Sequence, residues 1–446
     1  MDNSENILDS TIKNSIYDIA VIGGGSSGIM AAISAKRHQE YVKLVIIEKN
    51  HKLGKKLLLT GNGRCNFTTS VGLDELIDSF GKSGRFFSEA FNEFSNNDLI
   101  LFFKSRGVLP EFEDGFKVFP KDGKAIGVLN CLKNELHKNI INVIYDFEVR
   151  CIGKYPKIEE IRSSKKEITH EVFKISSAID RQIFARKVIL ATGGLSYPHT
   201  GSSGDGYKFA KSLGHSINQF SPSIVPIVSR YLSSLGLQGI SLKKIDISVI
   251  SDNKTITKET GGDIIFTHFG ISGPAASNLG NIIFREAAKG KAVHCSIDLC
   301  PELSYENYIK KYEELRTINL KKEIGTLIKM ILKNIPDDLL LKIFNILKID
   351  LHQKTGNAPK KDILKIIDLS KNFKFVTEGT LPITEAIITE GGIPLKEINP
   401  KTMQSRITEN LYFAGEIIEM QGPEGGFNLQ KAFSTGWLAG KMAGLK

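Results

Sequence analysis

The residues best suited to bind a ligand form a glycine-rich turn, Gly23-x-Gly25-x-x-Gly28, in the stretch DIAVIGGGSSGIMAA. Between a strand and a helix, this spacing permits a tight turn, lets a pyrophosphate approach the main chain and lets the helix pack close to the sheet. The N–H groups of Ser26 and Ser27 open that helix, where the positive end of its dipole attracts phosphate. The turn therefore predicts a dinucleotide site.

A second apolar run, VKLVIIEK, ends in Glu48 and Lys49 at the distance that a crossover helix requires. Glu48 follows Gly28 by about twenty residues, the position at which a carboxylate accepts hydrogen bonds from ribose hydroxyls and repels a 2′-phosphate. The pattern favours an unphosphorylated adenosine cofactor. The alternative is that Glu48 only ends a solvated strand.

Two distant segments repeat the order of strand and then glycines. They are KVILATGGLSYPHTGSSGDGY (residues 187–207) and LYFAGEIIEMQGPEGGFNLQKAF (residues 411–433). The carboxyl ends of parallel strands share one sheet edge, where open α/β sheets bind ligands. A cofactor as long as FAD could contact all three junctions, whereas the first glycine turn alone does not distinguish FAD from NAD.

Length and composition set the broad class. A chain of 446 residues with 41% hydrophobic and 24% charged residues predicts a globular protein of two or three domains. Its polar start, MDNSENILDSTIKNS, has no signal pattern and no apolar run reaches membrane-spanning length, so we expect a cytoplasmic protein without a membrane partner. The net charge of +10 is spread among glutamates, which makes a nucleic-acid partner unlikely from the sequence.

Other catalytic patterns are absent from the sequence. Five cysteines are too few for a disulfide framework, and Cys295 and Cys300 in KAVHCSIDLC would point to opposite faces of a strand. No Walker lysine, metal-ligand cluster or ordered Ser-His-Asp set is present, so no metal is expected.

Six motifs, in order from about residue 17 to residue 444, resemble a known family. They are GGGSSG, LLLTGNGRCNFT, ATGGLSYPHTGSSGDGY, FTHFGISGPA, LYFAGE and GGFNLQKAFSTGWLAG. Together they resemble the bacterial NAD(P)/FAD-dependent oxidoreductases, which include aminoacetone-oxidase-like and bile-acid-reductase-like flavoproteins. The resemblance implies an α/β fold with a two-part Rossmann-like FAD-binding domain (17–208 and 372–446). Residues 209–371 would form an inserted β-rich plus helical substrate domain.

The resemblance and the glycine patterns together assign the contacts to FAD. These are Gly23, Gly25, Ser26, Ser27, Gly28, Glu48, Lys49, Gly61, Asn62, Gly63, Arg64, Cys65, Asn66, Thr192, Gly193, Gly194, Gly415, Glu416, Gly425, Gly426, Phe427 and Asn428. For Arg64, a surface salt bridge is the alternative. The chain departs from the family pattern at Glu419, where aspartate is common, and at Glu390, where a small residue is usual.

The implied function is FAD-dependent transfer of hydride or electrons between the flavin and a small-molecule amine, ketone or enone. NAD(P)H is a candidate transient reductant, although the chain has only one dinucleotide fingerprint. Tyr197, His199 and His268, in glycine-rich loops, are candidates for proton transfer. Two alternatives stay open: an RNA-modifying flavoprotein, and a flavin-binding regulatory protein without turnover. The oligomeric state is not predicted.

Overall fold

A computed structural model describes residues 16–161, 166–179 and 181–445 of the chain. The polar start (residues 1–15) lies outside the described residues. The chain divides into two compact units: unit 1 combines Met1–Phe220 with Ile388–Lys446, and unit 2 is Ser221–Ile387. The two boundaries between the units lie later in the chain than the predicted domain boundaries, which follow residues 208 and 371. The role of residues 209–371 as a substrate domain remains a prediction.

The elements of the described chain are numbered in chain order. The strands are β1 (Tyr17–Ile22), β2 (Leu44–Ile47), β3 (Thr68–Thr69), β4 (Pro110–Glu113), β5 (Lys117–Pro120), β6 (Asn142–Ile144), β7 (Val149–Ile161), β8 (Lys166–Ser177), β9 (Gln182–Leu190), β10 (Asn218–Ser223), β11 (Ile227–Val228), β12 (Ser241–Ser251), β13 (Lys254–Phe266), β14 (Gly270–Ser272), β15 (Val293–Asp298), β16 (Phe373–Val376), β17 (Gly379–Thr380), β18 (Ile388–Gly392) and β19 (Leu411–Phe413). The helices are α1 (Ser26–His38), α2 (Leu73–Asp78), α3 (Gly84–Glu93), α4 (Asn96–Lys104), α5 (Ala125–Lys138), α6 (Asp205–Ser212), α7 (Arg230–Ser234), α8 (Pro274–Ala288), α9 (Tyr305–Ile318), α10 (Ile324–Ile331), α11 (Asp337–Asn345), α12 (Lys360–Lys371) and α13 (Phe427–Gly444).

Unit 1 is built on a seven-stranded sheet whose parallel part runs β6-β2-β1-β9. The first half of β9 pairs antiparallel with β8, which pairs with β7, while its last residues pair parallel with β19. β2 is buried at every residue and β1 over its last four, as expected of strands covered on both faces. The predicted α/β class with a two-part Rossmann-like unit is confirmed.

The register places three strand ends side by side. Ile22 of β1 pairs with Leu190 of β9, and Leu190 pairs on its other side with Phe413 of β19. Each of these strands is followed by a glycine-rich segment, so the three segments leave the sheet at one edge. The predicted convergence of the three junctions is confirmed.

Glycines let α1 and α13 pack backbone to backbone. A Cβ atom on Gly436 would lie 2.3 Å from the carbonyl oxygen of Ser27, and one on Gly440 would lie 2.0 Å from that of Ala31. Neither distance is compatible with a side chain, because backbone atoms cannot move aside cheaply. The last helix of the chain is thereby fixed against the helix that opens the dinucleotide turn.

The segment RFFSEAFNEFSNNDLILFFKSRG has the apolar spacing of a helix, and it forms the two helices α3 and α4. α3 ends at Glu93, and Ser95 then caps α4 by accepting a hydrogen bond from the Asp98 N–H, while the Asp98 carboxylate accepts from the Ser95 N–H. This capping box starts a helix rather than continuing one. The Ser-x-x-Asp spacing is visible in the sequence and marks the break.

Unit 2 has a seven-stranded sheet of order β16-β15-β12-β13-β14-β11-β17 with antiparallel neighbours, and the helices α7 to α12. Cys295 and Cys300 are free and buried in its core, and burial raises the pKa of each thiol to about 12. Neither thiol is therefore poised for redox chemistry. Across the described residues, every helix is too short or too polar to cross a bilayer.

Candidate cofactor site

The three glycine-rich segments of unit 1 contact one another directly. A Cβ atom on Gly23 would lie 2.5 Å from the Ala191 carbonyl oxygen, which joins the first segment to the second. A Cβ atom on Gly415 would lie 2.5 Å from Ser27 Oγ, which joins the first segment to the third. The φ angles of Gly23 (109°) and Gly415 (81°) also require glycine. These contacts bring residues far apart in the chain into one site.

The glycine turn has the shape that a bound phosphate needs. Gly25 precedes α1, is half-buried and has no atom within 4 Å of where its Cβ would be. Gly28, by contrast, would place a Cβ 1.9 Å from the Gly23 carbonyl oxygen. The first N–H groups of α1 have no acceptor within the helix, so they remain available to an anion.

Glu48 lies at the end of β2 and is only 7% exposed. Its Oε2 accepts a hydrogen bond from the Gly24 N–H at 2.8 Å, and its Oε1 accepts from the Asn50 N–H and side-chain amide at 2.8 and 2.7 Å. The carboxylate is therefore fixed against the glycine turn. The alternative of a solvated strand end is wrong, because the side chain is buried.

Lys49 connects this strand end to the segment after β9. Its Nζ donates to Asp205 Oδ2 at 2.8 Å and also bonds Ser203 Oγ. Burial alone would raise the pKa of Asp205, but the hydrogen bonds from Lys49 and Ser203 outweigh it and lower that pKa to about 2. In this structure the Lys49 charge is neutralised by protein, and its assignment to FAD remains a prediction.

The loop of residues 61–66 is exposed over most of its length and strongly curved. Asn62 and Cys65 both have left-handed backbone, with φ values of 55° and 64°. The N–H groups of Arg64 and Cys65 donate to the carbonyl oxygens of Gly61 and Thr60, so they are not free donors. Cys65 is fully buried, which raises the pKa of its thiol to about 12.

Arg64 adopts the arrangement that the sequence left as its alternative. Its guanidinium forms a two-pronged ion pair with Glu113 and lies 4.3 Å from the centre of the Phe119 ring. The side chain is 45% exposed. The structure shows this salt bridge, and a contact between Arg64 and FAD stays a prediction.

A part-buried network that the sequence did not reveal joins the second and third segments to Lys56 and to Thr389 of β18. Glu416 Oε2 accepts from Lys56 Nζ at 2.6 Å, and its Oε1 accepts from Ser196 Oγ at 3.0 Å and from the Thr389 N–H at 2.8 Å. Lys56 Nζ also bonds Ser196 Oγ, and Thr389 Oγ1 accepts from the N–H groups of residues 195 and 196. Burial raises the pKa of Glu416, but the Lys56 charge and these donors lower it overall. Glu416 is thus a fixed anion.

The third segment is held by the first turn of α13. Asn428 donates to the carbonyl oxygens of Gly422 and Pro423 and accepts from the Gly422 N–H at 2.8 Å. A Cβ atom on Gly426 would lie 2.2 Å from the Thr68 carbonyl oxygen. The Asn428 amide therefore closes its own loop, and contacts of residues 425–428 with the flavin remain a prediction.

The two carboxylates that depart from the family pattern are both accommodated. Glu419 Oε1 accepts from the Leu395 N–H at 2.7 Å, and its other oxygen bonds the Asn218 amide. Glu390 is half-buried in β18. The longer side chain of Glu419 serves to fasten neighbouring loops.

The three candidates for proton transfer differ in setting. Tyr197 is half-buried, has left-handed backbone (φ 51°) and has its ring 5.9 Å from that of His199, which is exposed. Strained backbone is concentrated at functional sites, which favours the Tyr197 segment. His268 is exposed and belongs to unit 2.

A Ser–His–Glu arrangement in unit 1 resembles a hydrolytic triad in geometry only. His215 Nδ1 is 2.9 Å from Glu397 Oε2, and His215 Nε2 is 2.8 Å from Ser405 Oγ. The side chain of His215 is fully buried, Ser405 is 8% exposed, and its Oγ already accepts the N–H groups of Ile407 and Thr408. Ser405 has no free lone pair or access for attack, so the cluster is structural.

We expect His215→Ala to destabilise the protein by about 2–4 kcal/mol, since it leaves buried partners unpaired. Burial lowers the pKa of His215 despite the Glu397 hydrogen bond, so the neutral form is favoured in the folded state. The wild-type unfolding free energy should then fall as pH drops below about 6.5, where the unfolded histidine takes up a proton. Urea unfolding of wild type and H215A against pH checks this, and an unchanged midpoint in H215A would reject it.

The site fits FAD in its donor chemistry. Gly25 leaves room for pyrophosphate, α1 presents free N–H groups, and Glu48 is a fixed acceptor beside them. Within the described residues, no group of three or more His, Cys, Asp or Glu could hold a metal ion.

The chain is similar to known proteins over nearly its whole length. The family description "HI0933-like protein Rossmann domain" matches residues 17–442. The chain is 28% identical over 429 residues to a 3-dehydro-bile acid delta(4,6)-reductase of Clostridium scindens, covering 95% of this chain and 98% of that protein. It is 26% identical over 421 residues to a ribosomal RNA dihydrouridine synthase of Haemophilus influenzae, covering 94% of this chain and 96% of that protein.

A solved structure of a flavocytochrome c3 fumarate reductase aligns with a TM-score of 0.49 at 15% identity, covering 100% of this chain and 81% of that one. The family match spans nearly all of the described chain, including both parts of unit 1. The chain therefore belongs to the HI0933-like family of FAD-dependent Rossmann-domain oxidoreductases.

Proposed function

We propose that this protein reduces a carbon–carbon double bond conjugated to a carbonyl group in a small molecule. FAD is the resident cofactor, and a reduced nicotinamide, NADH or NADPH, is the electron source. Among the amine, ketone and enone substrates that the sequence leaves open, the enone is the class we favour. The residues assigned to FAD in the sequence remain part of this proposal.

The observation that carries the proposal is the chemistry named in two relatives of nearly full length. A 3-dehydro-bile acid has a 3-oxo group, and its delta(4,6) bonds are conjugated with that group. Dihydrouridine arises when the uracil double bond conjugated to a carbonyl is reduced. Both names denote addition of two electrons and two protons to an activated double bond, despite very different substrates. A single type of reaction, reduction of an activated double bond, accounts for the names of both relatives.

The reaction balances with one nicotinamide per double bond. A hydride equivalent from NADH or NADPH and one proton from solvent are added across the bond, and the nicotinamide leaves oxidised. Bound FAD supplies the two-electron transfer. Of the chain's own groups, Gly25 and Glu48 would hold the pyrophosphate and adenosine end of FAD, and Glu416 fixes the third segment to the second. Tyr197 and His199 of unit 1 are candidates that would deliver the proton, and His268 of unit 2 remains a third candidate from the sequence.

The test is anaerobic turnover of a 4-en-3-oxo steroid by the purified FAD-loaded protein with NADH or NADPH. We expect a product heavier by two hydrogens and nicotinamide oxidised in equal amount. The saturated 3-oxo steroid and a primary amine are matched controls that should give no turnover. No reduction of the enone in this assay, together with steady oxidation of the amine when oxygen is admitted and the nicotinamide is omitted, would contradict the proposal.

A second candidate, reduction of uracil in ribosomal RNA, is favoured by the name of the Haemophilus relative. RNA binding would weaken steeply with salt, because lysines would displace counterions from phosphate. Ribosomal RNA from cells with and without the gene can be compared for dihydrouridine by alkaline cleavage and primer extension. A site lost with the gene would establish this candidate, and identical RNA would reject it.

A further inference from the structure

Lys431 is a buried cation on α13 that the proposed reaction does not use. It is 1% exposed, one turn into the helix. Its Nζ donates to the carbonyl oxygens of Ile418 and Met420 at 3.2 and 2.7 Å, and to Gln421 Oε1 at 3.0 Å. All three acceptors belong to one four-residue stretch, residues 418–421, which we call the 418–421 loop.

The ammonium group of Lys431 is satisfied by neutral oxygens instead of a carboxylate. Glu416 of the turn after β19, Glu390 of β18 and Glu419 of the loop are the charged groups around it, and α3 contributes the Phe87 ring at 5.2 Å. Burial lowers the pKa of Lys431 to about 7, because it outweighs the attraction of the three carboxylates. Burying a charged ammonium group costs free energy of folding, so a lysine at this position indicates a specific role.

The loop that Lys431 holds connects two parts of the candidate site. It begins two residues after Glu416 and leads into Gly422, which is hydrogen-bonded to Asn428 of the first turn of α13. Met420 has left-handed backbone, with φ of 70°, which is unfavourable for a side chain of this size. A strained loop conformation persists only when surrounding contacts fix it, and the three Lys431 hydrogen bonds are such contacts.

We propose that Lys431, in its ammonium form, positions the 418–421 loop for FAD, so that loss of its proton weakens FAD binding. An ammonium group has three N–H donors for the three oxygens that face it. A neutral amine has two donors and directs a lone pair at the remaining oxygen, which repels it. The inference rests on the proposed placement of FAD beside residues 415–428.

The test is the dissociation constant of FAD from apoprotein to which FAD is added back, measured by fluorescence quenching. The pH is varied from about 6 to about 9, the range over which protonation of Lys431 is expected to be coupled to FAD binding. Wild-type binding should weaken with rising pH by on the order of tenfold, as for loss of a charged hydrogen bond. Lys431→Met should bind weakly at every pH, with no pH dependence from this group. Gln421→Glu should move the weakening to higher pH, because a carboxylate beside the ammonium stabilises its charge.

Lys441→Met is the matched control, since Lys441 lies on the same helix and pairs with Glu93 at the surface. It should reproduce the wild-type curve. If Lys431→Met keeps wild-type affinity and pH dependence, or if Gln421→Glu leaves the curve in place, the inference is overturned. Circular dichroism of each apoprotein shows whether a variant that binds FAD weakly is still folded. If Lys431→Met does not fold, the pH shift expected of Gln421→Glu still tests the inference. Failure of the FAD site itself would appear separately, as flavin retained by a Gly25 variant.

Discussion

Gly25→Leu should release FAD from the protein while leaving the fold intact. No protein atom lies within 4 Å of the position its Cβ would take, and its φ of −84° and ψ of −173° are open to leucine. The leucine side chain would instead occupy the space that the pyrophosphate requires beside the first turn of α1. We expect at least hundredfold weaker binding, about 3 kcal/mol, with a cost to stability of at most about 1 kcal/mol at this cap position.

Gly28→Leu is the matched control for that prediction. Its Cβ would lie 1.9 Å from the Gly23 carbonyl oxygen, so this variant should lose the fold along with the flavin. Flavin content of the purified proteins and urea unfolding of the apoproteins separate the two effects. Stoichiometric flavin in Gly25→Leu would show that the cofactor is placed elsewhere.

The second large effect is expected at the buried pair of Lys56 and Glu416. Glu416→Ala leaves the Lys56 ammonium, 26% exposed, without its carboxylate, and removes the acceptor to which Ser196 Oγ and the Thr389 N–H donate. Breaking a buried pair by removing one partner costs about 3–5 kcal/mol, and because both groups are partly exposed we expect about 3 kcal/mol. The double variant Lys56→Met/Glu416→Leu should be less destabilised than the sum of the single changes. Additive losses would mean that the two side chains act independently.

The same pair predicts a pH dependence. The pKa of Glu416 is lower in the folded state than in the unfolded chain, where it is about 4.3. Its contribution to stability is therefore complete above the unfolded pKa and is lost as pH falls through the folded pKa. Glu416→Gln should remove this part of the acid sensitivity, measured as the slope of unfolding free energy against pH below about 5. An unchanged slope would rule out Glu416 as its source.

The positions of the three strand-to-glycine junctions were predictable from sequence, because each is a local pattern. An apolar strand of three to nine residues, followed within three residues by glycine, identifies Ile22, Leu190 and Phe413 as strand ends. The topology rules for parallel sheets then place those ends at one edge. Glu48 could be predicted for the same reason, since it lies at a characteristic number of residues after the glycine turn.

The side-chain pairings were not predictable, because they depend on residues distant in the chain. Lys56 lies among several lysines, and nothing local distinguishes it as the partner of Glu416, 360 residues away. Arg64 shows the converse. Its setting between glycine and cysteine suggested that it binds a phosphate, whereas in the structure it forms a salt bridge with Glu113 on β4. In the sequence, Lys431 is one polar residue of a largely apolar helix, and only the structure shows its three hydrogen-bond acceptors.

We propose that FAD bound at this sheet edge passes electrons from a nicotinamide to an activated double bond. The decisive experiment is an anaerobic titration of the FAD-loaded protein with NADH and NADPH, followed by addition of a 4-en-3-oxo steroid, with the visible flavin band recorded throughout. We expect one FAD per chain, bleaching by at least one nicotinamide and recovery of the band when the enone is added. A protein that takes up no FAD, or whose bleached flavin is insensitive to the enone and to uracil in ribosomal RNA, would contradict it.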